Sequence, residues 1–416
     1  MNSSQSRPDG RLLSYGHQCL DDDDKQAVLE VLNGDWLTQG PTVERFERAL
    51  CDYFGTKYAV ACCNGTAALH LSAMSLGWKP GDIIIVPAIT FIATANCCGY
   101  VGAVPYFVDI EENSLTIDPN EVETHVKLLR QQGKPVRAII GVDMTGHPCD
   151  WPALRAIADR YEIELVDDAC HAMGSAYGSG VKTGSCTHND VTTLSFHPVK
   201  HITTGEGGAV LTNNGEVAEQ AARLRNHGII HGEKQVPNWE GPWHYEVAEL
   251  GYNYRITDFQ CALGISQMRK LDQFVERRRA VARKYTEILA ANNLLRCPSE
   301  KPEVVHAYHL YVLRARFGDC AISRRELFAS CRDRGIQLQV HYRPLPQNAI
   351  YRRQEINHDA ERRLPVSFAY YREALSLPIF PQLVPVDVDR VSQTITALLR
   401  PRVKADTVRS GRHVSG

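Results

Sequence analysis

Lys200 lies in a short turn between two predicted strands. An apolar, β-branched run ends at Ser195, and a second apolar run follows Gly207 and Gly208. Pro198 and the histidines on either side leave the lysine side chain little local room. A lysine held near apolar surface and fixed dipoles loses proton affinity, which is the property that a Schiff-base lysine needs. From this segment alone, an ordinary solvated loop lysine is an equally good interpretation.

Three other segments could bind an anionic, planar ligand. A short apolar run at 58–62 meets Gly65 and Thr66 at the start of a helix, which aims backbone N–H groups and the helix dipole at an anion. Asp168 and Phe91 each follow a buried apolar run. Taken singly, these features are also an ordinary strand-to-helix turn, a helix N-cap and a core aromatic residue.

Taken together, these groups are the set that binds pyridoxal 5′-phosphate (PLP). That cofactor needs a lysine that forms an imine, a carboxylate on its ring nitrogen, an aromatic cover and a phosphate cup. Asp168 would keep the ring nitrogen protonated, so that the ring accepts the electrons left when a proton leaves the substrate. Ser195 could donate a hydrogen bond to the phosphate or simply cap its strand. The residues therefore predict a PLP enzyme with Lys200 and Asp168 as catalytic residues.

The elements that must position these groups alternate along the chain. Apolar runs separated by helical segments predict strands at 58–62, 83–86, 104–108, 136–142, 162–166 and 191–195, and helices at 42–53, 151–161 and 215–227. Such continuous runs indicate a mostly parallel, seven-stranded type of sheet that is covered on both faces. Ligands bind beyond the carboxyl ends of such strands, and each of the groups described above lies there. The predicted fold class is α/β.

The 416 residues are enough for two domains. An amphipathic pattern from about Thr257 to Leu289 predicts one long helix between them. Patterns in the C-terminal part predict strands at 308–314 and 336–340 and helices at 323–334 and 387–400. The predicted division is a disordered N-terminus at 1–13, a large PLP-binding domain at 14–256, a linking helix at 257–290, a small C-terminal α/β domain at 291–402 and a disordered tail at 403–416.

Charge and hydropathy exclude several classes of function. Lys and Arg number 46 against 48 Asp and Glu, so no basic excess indicates nucleic acid or an anionic membrane surface as a partner. The first ten residues lack the apolar core of a signal peptide, and no apolar run is long enough to span a bilayer. These features predict a cytoplasmic protein.

The 13 cysteines and 16 histidines show no metal-binding spacing. No Cys-x-x-Cys occurs, and Cys97, Cys98 and Cys261 lie in apolar surroundings, so buried reduced thiols are the favoured interpretation. The acidic run Asp21–Asp24 precedes helical spacing that stops at 33–34. It is interpreted as a helix N-terminal cap. No metal is predicted.

Five motifs occur in a recognisable order along the chain. They are Asn64-Gly-Thr-Ala-Ala-Leu, Asp168-Ala-Cys-His-Ala, Ser195-Phe-His-Pro-Val-Lys200, Thr204-Gly-Glu-Gly-Gly208 and Gly251-Tyr-Asn-Tyr-Arg255. With these motifs the chain resembles the DegT-type (DegT/StrS) nucleotide-sugar aminotransferases from about Tyr15 to the region of Leu399. The resemblance implies the fold of the fold-type I PLP-dependent transferases.

The resemblance also implies roles for the cofactor-binding residues. Lys200 would bind the cofactor and then move a proton, Asp168 would pair with the ring nitrogen, and His171 would lie near the ring hydroxyl as a third catalytic residue. Phe91 would cover the ring. The phosphate would be held by Gly65, Thr66, Ser195 and, from the neighbouring subunit of a homodimer, Asn253.

Within the family, the likeness is greatest to members that act in the pseudaminic acid pathway. It is carried by the segments that begin at Cys19, Leu37 and Gln339. Such enzymes move the amino group of L-glutamate to C4 of a UDP-linked 2-acetamido-2,6-dideoxy-4-keto-hexose. The implied substrate residues are Tyr15, Asp35, Trp36, Leu37, Thr38, Arg255, Gln339, Val340, His341 and Tyr342. Tyr15 and Trp36 could instead be packing aromatics.

Other functions remain open at this point. The same machinery serves aminotransferases for perosamine-type or bacillosamine-type keto-sugar nucleotides, at C3 or C4. A PLP-family sugar dehydratase would have histidine in place of Lys200, and a non-catalytic member would lack Lys200 or Asp168, but both residues are present. Two features depart from the family pattern. Cys170 stands where alanine is usual, and the segment around Trp239–Trp243 and the C-terminal tail are longer than in similar members.

Overall fold

A computed structural model describes residues 12–402 of the chain. The strands are β1 Tyr58–Cys62, β2 Ile83–Pro87, β3 Val104–Val108, β4 Val136–Val142, β5 Glu164–Asp168, β6 Ala176–Tyr177, β7 Val191–Ser195, β8 Gly208–Thr212, β9 Ile229–His231, β10 Tyr245–Val247, β11 Leu295–Arg296, β12 Val304–Val305, β13 Tyr311–Ala315 and β14 Ala374–Leu377. The helices are α1 Asp22–Leu32, α2 Pro41–Phe54, α3 Gly65–Ser75, α4 Ile92–Tyr100, α5 Pro119–Gln131, α6 Trp151–Tyr161, α7 Gly215–Arg225, α8 Asp258–Met268, α9 Leu271–Leu289, α10 Arg324–Asp333, α11 Ala349–Arg352, α12 Ala360–Arg363, α13 Pro365–Glu373 and α14 Pro385–Leu398.

The main sheet has seven strands in the order β1-β8-β7-β5-β4-β2-β3. All of its strands run in parallel except β8, which is antiparallel to both of its neighbours. The α/β class and the mostly parallel sheet are thus confirmed. A second sheet, β11-β13-β14, lies in the C-terminal part of the chain.

Strand β2 shows why the parallel strands read as continuous apolar runs. All five of its residues are buried. Ile84 and Val86 pack in one core cluster with residues of α3 and α4, whereas Ile83 and Ile85 pack in another with α5 and α6. Because successive side chains point to opposite faces, both faces must be apolar when helices cover both.

Two predictions agree with the structure. One is the helix cap at Asp21–Asp24, and the other is the set of buried free thiols. The Asp21 side chain accepts the backbone N–H of Asp24, and the Asp24 side chain accepts that of Asp21, which is a capping box at the start of α1. All 13 cysteines lie within the described residues and are free thiols, and Cys97, Cys98 and Cys261 are buried. The interpretation of both features is confirmed.

The single helix predicted across 257–290 is wrong, because two helices, α8 and α9, occupy this stretch. No glycine or proline marks the break. The end of α8 is instead fixed by the N-terminus of α1, since Ser266 and Gln267 donate side-chain hydrogen bonds to Asp24, and Lys270 forms an ion pair with it. A tertiary contact of this kind leaves no local signal in the sequence.

Two predicted strands also differ from the structure. The strand predicted at 162–166 begins two residues later, so that Asp168 ends β5 instead of following it. No strand forms at 336–340, because Ile336 pairs singly with Leu13 and Gln339 pairs singly with Ser376. Neither partner runs alongside the segment long enough to make a ladder.

The predicted domain division stays a prediction, but the chain crosses its boundaries twice. Leu13, placed in a disordered N-terminus, is buried and its backbone bonds to that of Gly335 and Gln337. The segment 345–368 returns to the large sheet, where Tyr351 and Phe368 share a core cluster with β2 and β3. The tail predicted at 403–416, and most of the predicted disordered N-terminus, lie outside the described residues.

Helix length and hydropathy give no candidate for a membrane span. Among residues 12–402, no helix is both long enough and apolar enough to cross a bilayer. The predicted cytoplasmic location stays a prediction.

Candidate active site

A cavity of about 420 Å³ opens at the carboxyl ends of the parallel strands. It collects most of the predicted catalytic and cofactor residues and part of the predicted substrate set. The predicted residues that line it are Tyr15, Gly65, Thr66, Phe91, Asp168, His171, Ser195, Lys200, His341 and Tyr342. Residues separated by more than 300 positions therefore share one site, as the fold class predicts for strand ends.

Lys200 reaches the cavity from the turn between β7 and β8. Its backbone N–H donates to the His197 carbonyl at 2.9 Å, which closes the turn. Burial lowers the pKa of the Lys200 amine, while the nearby Asp168 carboxylate acts in the opposite direction. A lysine with a lowered pKa is a better nucleophile near neutral pH.

Asp168 ends β5 with its carboxylate fixed from two sides. The Thr94 hydroxyl donates to Oδ2 at 2.6 Å, and the backbone N–H of Cys170 donates to Oδ1 at 3.2 Å. Thr94 lies in the first turn of α4, and its hydroxyl is also 2.8 Å from that of Thr90. The carboxylate is only 4% exposed, yet it lines the cavity, so it can accept a further hydrogen bond from a bound group.

His171 is buried against a second imidazole. Its ring centroid lies 4.3 Å from that of His309, and its Nε2 is 3.4 Å from the Tyr342 hydroxyl. Within residues 12–402, its buried Nδ1 has no hydrogen-bond partner. Burial and the charge of Lys200 place the pKa of His171 well below its usual range, so the ring is neutral.

The N-terminus of α3 forms a cradle between two strands. Asn64 caps the helix, its side chain accepting the Ala67 N–H at 2.8 Å. A Cβ placed on Gly65 would lie 2.9 Å from the Cβ of Ser195, which is closer than two carbon atoms approach. Only glycine leaves space here for an anion at the free N–H groups of the first helical turn.

Aromatic residues form the wall opposite the strand ends. The Phe91 ring is 53% exposed and lies 6.0 Å from the Tyr342 ring. His341 is held by a contact of 2.8 Å between its Nδ1 and the Ser376 hydroxyl, and its ring lies 5.1 Å from that of Tyr15. Exposed rings beside buried polar groups suit a flat, partly polar ligand.

Eight of the predicted site residues lie outside this cavity. Asp35 and Trp36 line a separate groove between α1, α2 and α8, and Arg255 lines a third depression beside α2. The remaining residues sit near these two surfaces or on the C-terminal sheet: Leu37, Thr38, Asn253, Gln339 and Val340. The structure of one chain does not bring them to Lys200.

Sequence reasoning missed several residues of the site. Thr94, the hydrogen-bond donor to Asp168, could have been found, because it lies one helical turn after Phe91 and therefore on the same side of α4. His309 has no such local signal, because it lies just before β13 and more than 130 residues after Asp168 in the chain. Glu206 also lines the cavity and lies within a motif already singled out. Among residues 12–402, no three His, Cys, Asp or Glu residues are grouped as a metal site.

Comparison with known proteins decides the family. A sequence model of the DegT/DnrJ/EryC1/StrS aminotransferase family matches residues 18–396. The chain belongs to this family. The aminotransferase is 36% identical, over 93% of its length and 98% of the relative, to the UDP-4-amino-4,6-dideoxy-N-acetyl-beta-L-altrosamine transaminase of Campylobacter jejuni.

Solved structures agree with this assignment. Helicobacter pylori PseC, an aminotransferase involved in the biosynthesis of pseudoaminic acid, superposes with a TM-score of 0.84 at 29% identity, over 94% of this chain and 99% of PseC. The PMP form of Streptococcus pneumoniae Spr1654 superposes with a TM-score of 0.83 at 26% identity, over 92% of this chain and 98% of that one. The fold-type I expectation is confirmed.

The protein is therefore a PLP-dependent sugar aminotransferase, and its cavity fits that cofactor. The glycine cradle at α3 suits the phosphate, the Asp168 carboxylate suits a ring N–H, and the unpartnered His171 Nδ1 suits a polar ring substituent. When bound, PLP supplies the electron sink that carbanion chemistry at an amino-bearing carbon needs.

Proposed function

We propose that this aminotransferase moves the amino group of L-glutamate to C4 of a UDP-linked 2-acetamido-2,6-dideoxy-4-keto-hexose. The observation that carries the proposal is the 36% identity, over nearly the whole of both chains, to a transaminase named for a UDP-linked 4-amino-4,6-dideoxy sugar. The likeness to PseC supports the same substrate class. The chain retains a lysine and an aspartate in one buried site, as transamination requires.

The side chains of the cavity have separate tasks in this proposal. The Lys200 Nζ holds the cofactor and then accepts and returns the proton of the reacting carbon. Asp168 binds the ring nitrogen in its protonated form, and His171 orients the ring at its hydroxyl. Phe91 covers the ring face and excludes water. Tyr15, His341 and Tyr342 line the sugar side of the cavity.

The residues at 35–38, together with Asn253 and Arg255, are assigned to the active site of a neighbouring subunit. Trp36 and Leu37 are adjacent and are 59% and 48% exposed, so they form an apolar patch that a second subunit could cover. Asn253 lies at the carboxyl side of the β9–β10 hairpin, paired with Asn226. We assign Asn253 to the partner's phosphate site. The proposed substrate contacts are Asp35, Trp36, Leu37, Thr38, Arg255, Gln339 and Val340, in a homodimer with shared sites.

The first test is an absorbance spectrum of the PLP-loaded protein before and after L-glutamate is added. The proposal expects a yellow protein that is bleached by glutamate and regains its colour with one 4-keto sugar nucleotide. A panel should include the proposed UDP-sugar, perosamine-type and bacillosamine-type 4-keto substrates and a 3-keto substrate. Recovery with a different member would replace the proposed substrate, and colour without bleaching would remove glutamate as the donor.

A lysine variant checks that the colour arises in this site. Lys200→Ala should bind PLP without the wild-type spectrum and should not bleach with glutamate. Lys57→Ala, in which an exposed lysine beside β1 is removed, should behave as the wild type. A Lys200→Ala protein with normal spectrum and normal bleaching would contradict the assignment.

A further inference from the structure

Arg278 on α9 is a buried cation for which the described part of the chain supplies no carboxylate partner. Its side chain is fully buried, and its Nη1 donates to the carbonyl oxygens of Ile379, His309 and Tyr308 at 3.0, 3.2 and 3.4 Å. Within residues 12–402, no carboxylate forms an ion pair with it, and its Nε and Nη2 lack hydrogen-bond partners. Burial lowers the pKa of Arg278 only to about 10, so it stays charged at neutral pH.

A purely structural role does not account for this charge. Burying an ion without an opposite charge is costly, because the interior replaces little of its hydration. A neutral amide could donate to the same carbonyl oxygens without that cost. The buried charge of Arg278 is therefore expected to affect neighbouring groups.

The catalytic turn and Arg278 contact the same short segment. Arg278 binds the carbonyl of His309, whose ring lines the cavity together with Lys200. The Nε2 of His201, which follows Lys200 directly, contacts the Ala307 carbonyl at 3.1 Å. The backbone at 307–309 thus connects the guanidinium with the lysine turn.

The groups around Lys200 leave few charges to act on it. His171, His201 and His309 are neutral, because burial keeps their pKa values well below the usual range, and burial lowers the pKa of His341 to about 3. The thiol of Cys170 and the hydroxyl of Tyr342 have raised pKa values and are also neutral. Asp168 is an anion that favours a protonated lysine, and Arg278 is a cation that opposes it.

We propose that Arg278 is a positioning residue that acts through Lys200: its buried charge adds to burial in favouring the neutral, nucleophilic form of the lysine amine. A second cationic group beside a reactive lysine is an established way of activating it. The carbonyl contacts hold the charge at a fixed place behind the turn. The inference rests on the proposed catalytic role of Lys200.

The test is a pH titration of the visible absorbance of PLP-loaded protein, with melting temperature recorded in parallel. Arg278→Gln removes the charge but retains a donor, so the midpoint of the colour change should move to higher pH. Arg278→Lys keeps the charge, so its midpoint should stay with the wild type even if both variants melt earlier. A midpoint unchanged in Arg278→Gln, or shifted equally in both variants, overturns the proposal.

A matched control separates this effect from the general loss of a buried arginine. Arg314 on β13 is 8% exposed and pairs with Glu112. Arg314→Gln should lower the melting temperature without moving the colour midpoint. A shift of the midpoint as large as that of Arg278→Gln would show that the titration reports stability alone.

A measurement on the wild-type chain covers the case in which Arg278→Gln does not fold. In the full-length protein freed of PLP, reductive methylation with formaldehyde should label Lys200 at lower pH than exposed Lys57. Equal pH dependence of the two lysines would refute the proposal. No step uses a sugar nucleotide, so these outcomes are independent of the proposed substrate. Wild-type protein that never turns yellow with PLP would instead refute the role of Lys200.

Discussion

At the scale of single residues, Thr94 stabilises the carboxylate on which ring protonation depends. Its hydroxyl donates to Asp168 at 2.6 Å in a buried setting, where a lost donor is felt strongly. Thr94→Val should lower kcat/KM about tenfold, which corresponds to about 1.4 kcal/mol, and should weaken PLP binding. Steady-state kinetics and PLP titration would measure this.

The control for that substitution is another buried threonine. Thr56 donates to the Thr212 carbonyl at 3.1 Å, at the far end of β8 from the turn that carries Lys200. Thr56→Val should change stability but not kcat/KM. Equal kinetic losses in the two variants would mean that Thr94 acts only through packing.

Asp143 gives the molecule a pH-dependent stability. Its Oδ1 accepts the backbone N–H of Cys149 at 2.7 Å and the indole N–H of Trp151 at 3.0 Å, while Oδ2 has no partner within the described residues. Burial raises the pKa of Asp143 to about 7, and burial next to Asp143 and Asp168 raises that of Asp167. The folded state therefore binds protons that the unfolded state releases near pH 4.

This linkage predicts how stability changes with pH. Between about pH 4 and pH 7 the folded state holds more protons, so stability should fall as pH rises through that window. Asp143→Asn is neutral at every pH and should retain at least about 1 kcal/mol more stability than the wild type at pH 8. Melting temperatures from pH 5 to pH 8 would measure it, with exposed Asp52→Asn as the control. Parallel profiles for wild type and Asp143→Asn would contradict the expectation.

Residue types alone were sufficient for the centre of the site. Lys200, Asp168 and Gly65 could be predicted because each lies at or just after the end of an apolar run, and strand ends converge in a parallel sheet. Thr94, which bonds to Asp168, had a local signal in its spacing from Phe91, whereas His309 enters the cavity through long-range folding that spacing does not encode. Arg278 was invisible for the same reason, since a helix of mixed charge gives no indication of which arginine is buried.

At the scale of elements, the start of α3 shows how one turn creates a binding site. The helix begins against β7, and the absent side chain of Gly65 leaves its first amide groups open. Gly65→Ala should reduce PLP affinity at least about tenfold, because the added methyl meets Ser195 and would displace the first helical turn that offers its N–H groups to the anion. Equilibrium titration of PLP-free protein would measure the loss.

A second helical glycine gives the matched control. Gly99 lies inside α4, and a Cβ added there meets no atom within 4 Å. Gly99→Ala should leave PLP affinity unchanged and add up to about 1 kcal/mol of stability, because alanine is the better helix former. Similar losses of affinity in both variants would argue against the cradle.

The sequence pattern predicted the bounds of an element best where the signal lies within the element itself. Strands β1, β3 and β4 and helix α6 have the predicted bounds, because continuous apolar runs and capped helices are signals within the segment itself. The break between α8 and α9 and the missing strand at 336–340 depend on Asp24, Leu13 and Ser376, which lie far away in sequence. Such contacts are decided by the fold and not by propensity.

At the scale of the whole molecule, a mixing experiment tests the shared active sites. Lys200→Ala and Asn253→Ala proteins should each bleach poorly with glutamate at limiting PLP. If a site takes Lys200 from one subunit and Asn253 from its partner, subunit exchange restores one site in each mixed dimer, or about a quarter of all sites. Activity that stays at the average of the two separate variants would show that each chain completes its own site.

The return of residues 345–368 to the large sheet also concerns the order in which the protein is made. Tyr351 and Phe368 complete an apolar cluster with members in β2 and β3, which leave the ribosome more than 240 residues earlier. Contacts so distant in sequence slow folding and leave apolar surface uncovered in the meantime. The nascent N-terminal half therefore emerges with apolar residues of its sheet still uncovered. A ribosome stalled before residue 345 should hold a chain that recruits chaperones, whereas release of the full chain ends that need.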